Sequence, residues 1–296
     1  MKKLILLISF ILFSFTSFAV KIENNEIVDK YGNKIEAREY KRIIVTDPGV
    51  IEILFKIGGE KSIVAIGKTT KSKIYPYEKV EKLQSIGSIS NLNLEKMVEY
   101  KPDLIVVSSM MLRNVEAIKK MGYKVIVSNA SNLNGILDTI SVTGIISGKK
   151  DEAEKLRKEC SLKLEKFEKE NTKKASKLKG AILFSTSPMS AFSENSIPGD
   201  VLKHLGVINI AENVPGQRPI LSPEYILKEN PDFLAGAMSL DDPQQIIEAS
   251  NVIPKIKAGK NKNIFILDSS VILRSSYRIF DEMEVLKEKL NKIENK

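Results

Sequence analysis

Two similar parallel α/β lobes joined by a long helix are the fold class this sequence predicts, and three observations predict it. Short β-branched runs alternate with amphipathic segments through most of the chain, the grammar of a parallel sheet covered by helices. One phrase is written twice, as "NLEKMVEYKPDL" from Asn93 and as "SPEYILKENPDFL" from Ser222. Between the two, residues 133–179 carry helical spacing and no strand signal.

The elements follow in order. "MKKLILLISFILFSFTSFA" leads an apolar run with two lysines and sets Ser17 and Ala19 at the −3 and −1 positions of a cleavage site. It reads as a secretory signal peptide, residues 1–19. The run is shorter than the ~20 apolar residues a membrane span needs. No cysteine follows it, so the expected product is an unlipidated periplasmic protein. A hairpin comes next, two short alternating runs around Tyr31-Gly32-Asn33. "RIIVT" is a buried strand, and "VIEILFKIGG" a helix stopped by its glycine pair. "SIVAIG" is a strand, "NLEKMVEYK" a helix, "PDLIVVSS" a strand opened by a helix-ending proline, "VEAIKKMG" a helix and "YKVIVSNA" a strand. These make an amino-terminal lobe, residues 20–132.

Residues 133–179 form the connecting helical segment, with "SGKK" at 147–150 as a candidate break. The 29 residues from Asp151 would span roughly 40 Å as one helix. The alternation then resumes in a carboxy-terminal lobe, residues 180–296. "GAILFST" is a strand and "PGDVLKHLG" a helix. The repeated "SPEYILKEN" helix, the "PDFLAGA" strand, the "DDPQQIIEAS" helix and the "KNIFILDSS" strand follow, and "YRIFDEMEVLKEKLNKI" closes the chain as a helix. Two further pairs support the repeat, in the same order in both halves. "EILFKIG" from Glu52 matches "DVLKHLG" from Asp200, and "YKVIVSNASNLNGI" matches "KNIFILDSSVILRS". The 296 residues suffice for two domains, each with its own core. The alternative is that any two α/β domains share this helix-Pro-Asp-strand grammar.

Composition narrows the function. The formal charge is +9, but lysine alternates with glutamate on helices, as in "DEAEKLRKECSLKLEKFEKENTKK", the mark of a solvated face. No basic stripe interleaved with aromatics appears, so no nucleic-acid partner is expected. Cys160 is the only cysteine, so no internal disulfide forms. His204 is the only histidine. A bare transition-metal site needs several His or Cys ligands. There is also no G-x-S-x-G, G-x-G-x-x-G or P-loop sequence. We therefore expect no catalytic residues, no bound metal and no cofactor. Two other classes stay open: a two-lobed metal-cluster or cofactor enzyme, which would show cysteine ligands, and a secreted adhesion or scaffold protein.

In open α/β sheets ligands sit beyond the carboxyl ends of the strands. The loops there supply Tyr75, Tyr77, Ser88, Met110, Arg113, Met189, Phe192, Arg218, Arg274 and Arg278. Arginine grips carboxylates with two donors, and methionine adapts to irregular apolar faces. The mixture suits a bulky ligand with apolar faces and acidic edges. Each residue also has a packing role open to it, Arg278 as a tie for the last helix and the two tyrosines as flanks of Pro76.

Four stretches, "RIIVTDPGVIEILFKIGG", "IGSISNLNLEKMVEYKPDLIVV", "VPGQRPILSPEYILKENPDFL" and "RSSYRIFDEMEVL", resemble the bacterial ABC-transporter substrate-binding proteins of the ferric-siderophore, haem and cobalamin class. The resemblance implies two Rossmann-like lobes on a rigid long helix, with a ligand in the cleft between them. It implies a permease dimer with ATPase subunits as partner. It gives Glu95 and Glu224 a role, each meeting arginines on one permease subunit. Capping of their helices is the competing role. Haem-binding members often carry Tyr directly after the glycine that matches Gly87, where this chain has Ser88. With no tryptophan in the chain, an anionic ferric chelate held by Arg113, Arg218 and Arg274 is the expected ligand. Haem and cobalamin are the alternatives, and a monomer is expected.

Overall fold

The computed structural model describes residues 19–70, 72–173 and 177–295. The predicted signal segment lies outside the described residues except for Ala19. Three antiparallel strands come first: β1 (Val20–Glu23), β2 (Glu26–Asp29) and β3 (Lys34–Glu36). Asn24 and Asn25 turn the first hairpin at φ 48° and 63°, the left-handed pair that a two-residue hairpin loop requires. The sequence predicts the β2–β3 hairpin, and β1 is an addition. The Asp29 carboxylate binds the small sheet to the large one, accepting from Asn33 N at 3.0 Å and Val127 N at 2.8 Å.

The amino-terminal sheet runs through β4 (Ile43–Val45), α1 (Pro48–Lys56), β5 (Ile63–Lys68), α2 (Tyr77–Val80), β6 (Ser85–Ser88), β7 (Asn91–Leu92), α3 (Leu94–Glu99), β8 (Leu104–Ser108), α4 (Leu112–Lys120) and β9 (Val125–Ser128). Its strand order is β7-β6-β5-β4-β8-β9, parallel except for β7. Two helices follow, α5 (Leu133–Ile146) and α6 (Lys150–Lys173). The carboxy-terminal sheet contains β10 (Lys179–Thr186), β11 (Met189–Ala191), α7 (Ile197–His204), β12 (Ile208–Asn209), α8 (Pro223–Glu229), β13 (Phe233–Gly236), α9 (Pro243–Glu248), α10 (Lys257–Lys260) and β14 (Ile264–Ile266). The chain ends with α11 (Ser269–Ile272) and α12 (Arg278–Glu294). The order here is β11-β10-β13-β14 with β12 on β10, parallel except for β11.

The repeated phrase has a structural cause. Asp103 accepts from Arg42 N at 3.0 Å, and its own N–H donates to Arg42 O at 2.9 Å. Asp232 does the same with Lys179, at 2.8 Å and 2.8 Å. In each lobe the Pro-Asp unit ties the entry of the next strand to the entry of the lobe's first parallel strand. The paired acids of α1 and α7 also correspond. Glu52 and Asp200 are both buried, and each reaches the segment that leaves the other lobe's last strand: Glu52 meets Arg274 at 2.6 Å, and Asp200 accepts from Leu133 N at 2.8 Å.

The candidate break at 147–150 is a turn at Ser147 and Gly148 between α5 and α6, where Gly148 takes φ 68°. Two expectations change. The long helix has 24 residues, about 36 Å, and the chain leaves it early because Leu178 is drawn into the core and Lys179 is tied to Asp232. The cores are also not one per lobe. One cluster joins Ile53 and Ile57 of α1, Leu133 and Ile140 of α5, Phe167 of α6, Phe233 of β13 and Phe280 of α12. Ten of the 14 residues of α5 are buried, as a helix that is apolar all round requires.

Candidate ligand-binding cleft

In each sheet the order reverses at one place, the position beyond which open α/β sheets bind their ligands. In the amino-terminal sheet it lies between β4 and β8, where Ser108 N donates to Thr46 Oγ at 3.2 Å. In the carboxy-terminal sheet it lies between β10 and β13, where Ala237 N donates to Leu183 O at 3.0 Å. A methionine stands exposed beside each. Met110 after β8 is 52% exposed, and Met238 after β13 is 48% exposed. Met238 holds φ 67° and donates its N–H to Ser269 Oγ at 2.7 Å. Met110 was among the residues the sequence suggested for this site and Met238 was not, because nothing in "AGAMSL" announces a left-handed methionine.

The loop after β5 brings Tyr75 and Tyr77 edge to face at 5.9 Å. Tyr75 is 44% exposed, and the Arg278 guanidinium lies 5.1 Å from its ring. Lys73 lies 5.6 Å from the ring of Tyr77. Ser88 and Arg113 meet through Ser90: the Ser88 hydroxyl is 3.3 Å from that of Ser90, and Arg113 donates to Ser90 O at 3.3 Å. Gly87 makes this β6–β7 turn possible. Its φ is 124°, and a Cβ there would stand 2.6 Å from Asn91 O. In the other lobe Arg218 covers Phe184 at 4.0 Å and Phe192 at 4.5 Å, a cation on two ring faces. Partial burial draws its pKa below the ordinary arginine value.

Two of the residues expected at this site are buried. Arg274, expected to face the ligand, is buried and bonds to Glu52, to Lys73 O at 2.8 Å and to Ser72 Oγ at 2.8 Å. Met189 lies in β11 and is packed into the carboxy-terminal core at 8% exposure. The strand was missed because its three residues sit inside a loop-like "SPMSAFSENS". Sequence reading also passed over Glu52, the buried acid that Arg274 meets. A lone acid on the apolar face of "VIEILF" was the available signal.

Glu95 and Glu224 occupy the same position of α3 and α8, two residues past the N-caps Asn93 and Ser222. Both side chains are exposed. The Glu224 backbone N–H, with help from the Ser222 hydroxyl, holds its carboxyl below the usual carboxylate range. His204, the last residue of α7, faces α6, with Nδ1 3.5 Å from Glu168 and Nε2 3.6 Å from Asp200. Cys160 is buried as a free thiol. Among the described residues no cluster of three or more His, Cys, Asp or Glu could hold a metal ion.

Paired parallel sheets, each with one switch point and joined by a helical hairpin, define a class III periplasmic-binding-protein fold. The chain belongs to the periplasmic binding protein family, whose profile matches residues 43–271. It is 24% identical over 273 residues to a petrobactin-binding protein of Bacillus subtilis, covering 88% of this chain and 84% of that one. It is 24% identical over 242 residues to a vitamin B12-binding protein of Vibrio campbellii, covering 80% and 85%. A periplasmic haem-binding protein from Roseiflexus superposes with a TM-score of 0.74 at 18% identity, covering 86% of this chain and 98% of that one. These relatives are transport binding proteins, and the chain is a substrate-binding component of the ABC-importer type, not an enzyme.

Proposed function

We propose that the protein captures an anionic ferric chelate of the siderophore type and delivers it to a permease dimer driven by ATPase subunits. The observation that carries the reading is the pairing of cations with aromatic rings in both lobes: Arg278 with Tyr75, Lys73 with Tyr77, and Arg218 with Phe184 and Phe192. The exposed ring of Tyr75 accepts an apolar face of a chelate, and guanidinium groups take its carboxylate or catecholate edge. Met110, Met238, Ser88 and Arg113 complete the lining. The petrobactin-binding name of one relative supports the same choice. Glu95 and Glu224 serve as the acidic contacts for the two permease subunits, and the exported chain begins after Ala19 and works in the periplasm as a monomer.

Titration of the chain from Val20 onward with ferric petrobactin, haemin and cyanocobalamin tests the ligand, read by quenching of tyrosine fluorescence. The expected result is saturable quenching by the ferric chelate at micromolar concentration or below, the range in which a specific carrier works. Saturation by haemin or cobalamin alone overturns the choice. Haem is the second reading, favoured by the exposed phenol of Tyr75 beside Arg278, since a tyrosine oxygen is a known axial ligand for haem iron.

A further inference from the structure

We infer that Glu52 and Arg274 form a clasp between the lobes that holds the loop of residues 72–77 in place, so that the ligand site is complete only while the lobes keep this relation. The inference rests on reading Tyr75 and Tyr77 as part of the ligand site.

Glu52 lies on the inner face of α1 and is 0% exposed. A buried carboxylate needs a partner that is buried with it. That partner comes from 222 residues further along the chain. The Arg274 guanidinium is a fixed fork of donors, and here the fork is divided. One nitrogen donates to Glu52 Oε1 at 2.6 Å and to Lys73 O at 2.8 Å, and the other donates to Ser72 Oγ at 2.8 Å. The same Glu52 oxygen accepts from Tyr75 N at 3.1 Å. Arg278 approaches it at 3.5 Å and covers the Tyr75 ring. The loop is thus anchored at Ser72, Lys73 and Tyr75 by one acid of its own lobe and by arginines of the segment that closes the other. The backbone beside Arg274 is pressed against α1. A Cβ on Gly49 would stand 2.3 Å from Ser275 O. Parting the lobes takes Arg274 away from Ser72, Lys73 and Glu52 together, and the tyrosines lose their support. Cargo release then follows from lobe movement alone, with no change at the ligand.

The Tyr75 amide hydrogen is the reporter, because Glu52 holds it. Hydrogen exchange is measured on the ligand-free protein and on Arg274→Met, Arg274→Lys and Ser72→Ala chains, alongside ligand affinity. Arg274→Met is expected to speed exchange at Tyr75 about tenfold, the worth of a charge-assisted hydrogen bond, with β5 and β8 unchanged. Arg274→Lys, which keeps the charge and loses the fork, is expected to fall between. Ser72→Ala cuts one anchor without touching the buried charges and keeps the test open should Arg274→Met fail to fold. Affinity for whichever of the three ligands the wild type binds is expected to drop about tenfold through faster dissociation. Unchanged exchange at Tyr75 in folded Arg274→Lys and Ser72→Ala chains overturns the clasp. Faster exchange with unchanged affinity overturns its coupling to the ligand. A wild-type protein that binds none of the three ligands faults the ligand reading and leaves the exchange result standing.

Discussion

At the scale of single residues, burial decides what a charged group does. Arg274 and Arg218 read alike in the sequence, as arginines in loops beyond strands. Their fates part because Arg274 finds a buried acid from a distant helix, a pairing no local pattern records, while Arg218 finds two ring faces within its own lobe. The turn chemistry of Asp47 was legible as Asp-Pro-Gly, and its carboxylate caps α1 by accepting from Gly49 N at 2.7 Å. Burial raises the Asp47 pKa above the ordinary 3.8, against the backbone hydrogen bonds from Gly49 and Val50 that lower it. The folded chain therefore holds this proton to higher pH than the unfolded chain does. Stability falls as pH rises from 3.8 through the raised value, and stays lower above it. Asp47→Asn keeps the capping oxygen and cannot ionise. Its melting temperature is expected to exceed the wild type's by a margin that opens above pH 3.8 and then levels off, read by circular dichroism across pH. A variant that melts below the wild type at neutral pH would show that the ionised carboxylate is the stabilising form.

At the scale of elements, the repeat was legible and its purpose was not. The sequence shows Pro-Asp twice, eight residues after a glutamate. Only the structure shows that each aspartate closes a pair of bonds with a residue at the entry of a neighbouring strand. Asp103→Ala and Asp232→Ala are each expected to cost about 0.5–1.5 kcal/mol, the net worth of a hydrogen bond whose donor water can reach once the acceptor is gone. Urea midpoints measure this, and equal losses in the two variants would express the repeat as energy. Helical spacing marked α6 well but not its end, since the tether at Lys179 is a tertiary contact. The break at Gly148 was marked as a candidate in the sequence, and it separates α5 from α6. Close approach of the two requires Gly144, where a Cβ would meet Ala153 Cβ at 2.3 Å.

At the scale of the whole molecule, the alternation of strands and helices was enough to give two parallel sheets, and the fold follows from it. The joining of the cores was hidden, because it depends on which face α5, α6 and α12 turn to each lobe. The paired exposed glutamates carry the prediction at this scale. Glu95→Arg and Glu224→Arg together are expected to abolish uptake by cells while leaving ligand affinity unchanged, and each alone to weaken it. Uptake measured with radioiron separates this from a capping role, which would appear as a loss of thermal stability in place of a loss of uptake. The shared core carries a further consequence. Neither half owns all the apolar surface it needs, since α5 packs on α1 and β1 of one lobe and on α7 of the other, and Ile53 of α1 packs in the same cluster as Phe280 of α12. A protease nick at the α5–α6 turn would then leave two pieces that cling together, and neither piece could serve as a free-standing module in a fusion or a gene split at that point.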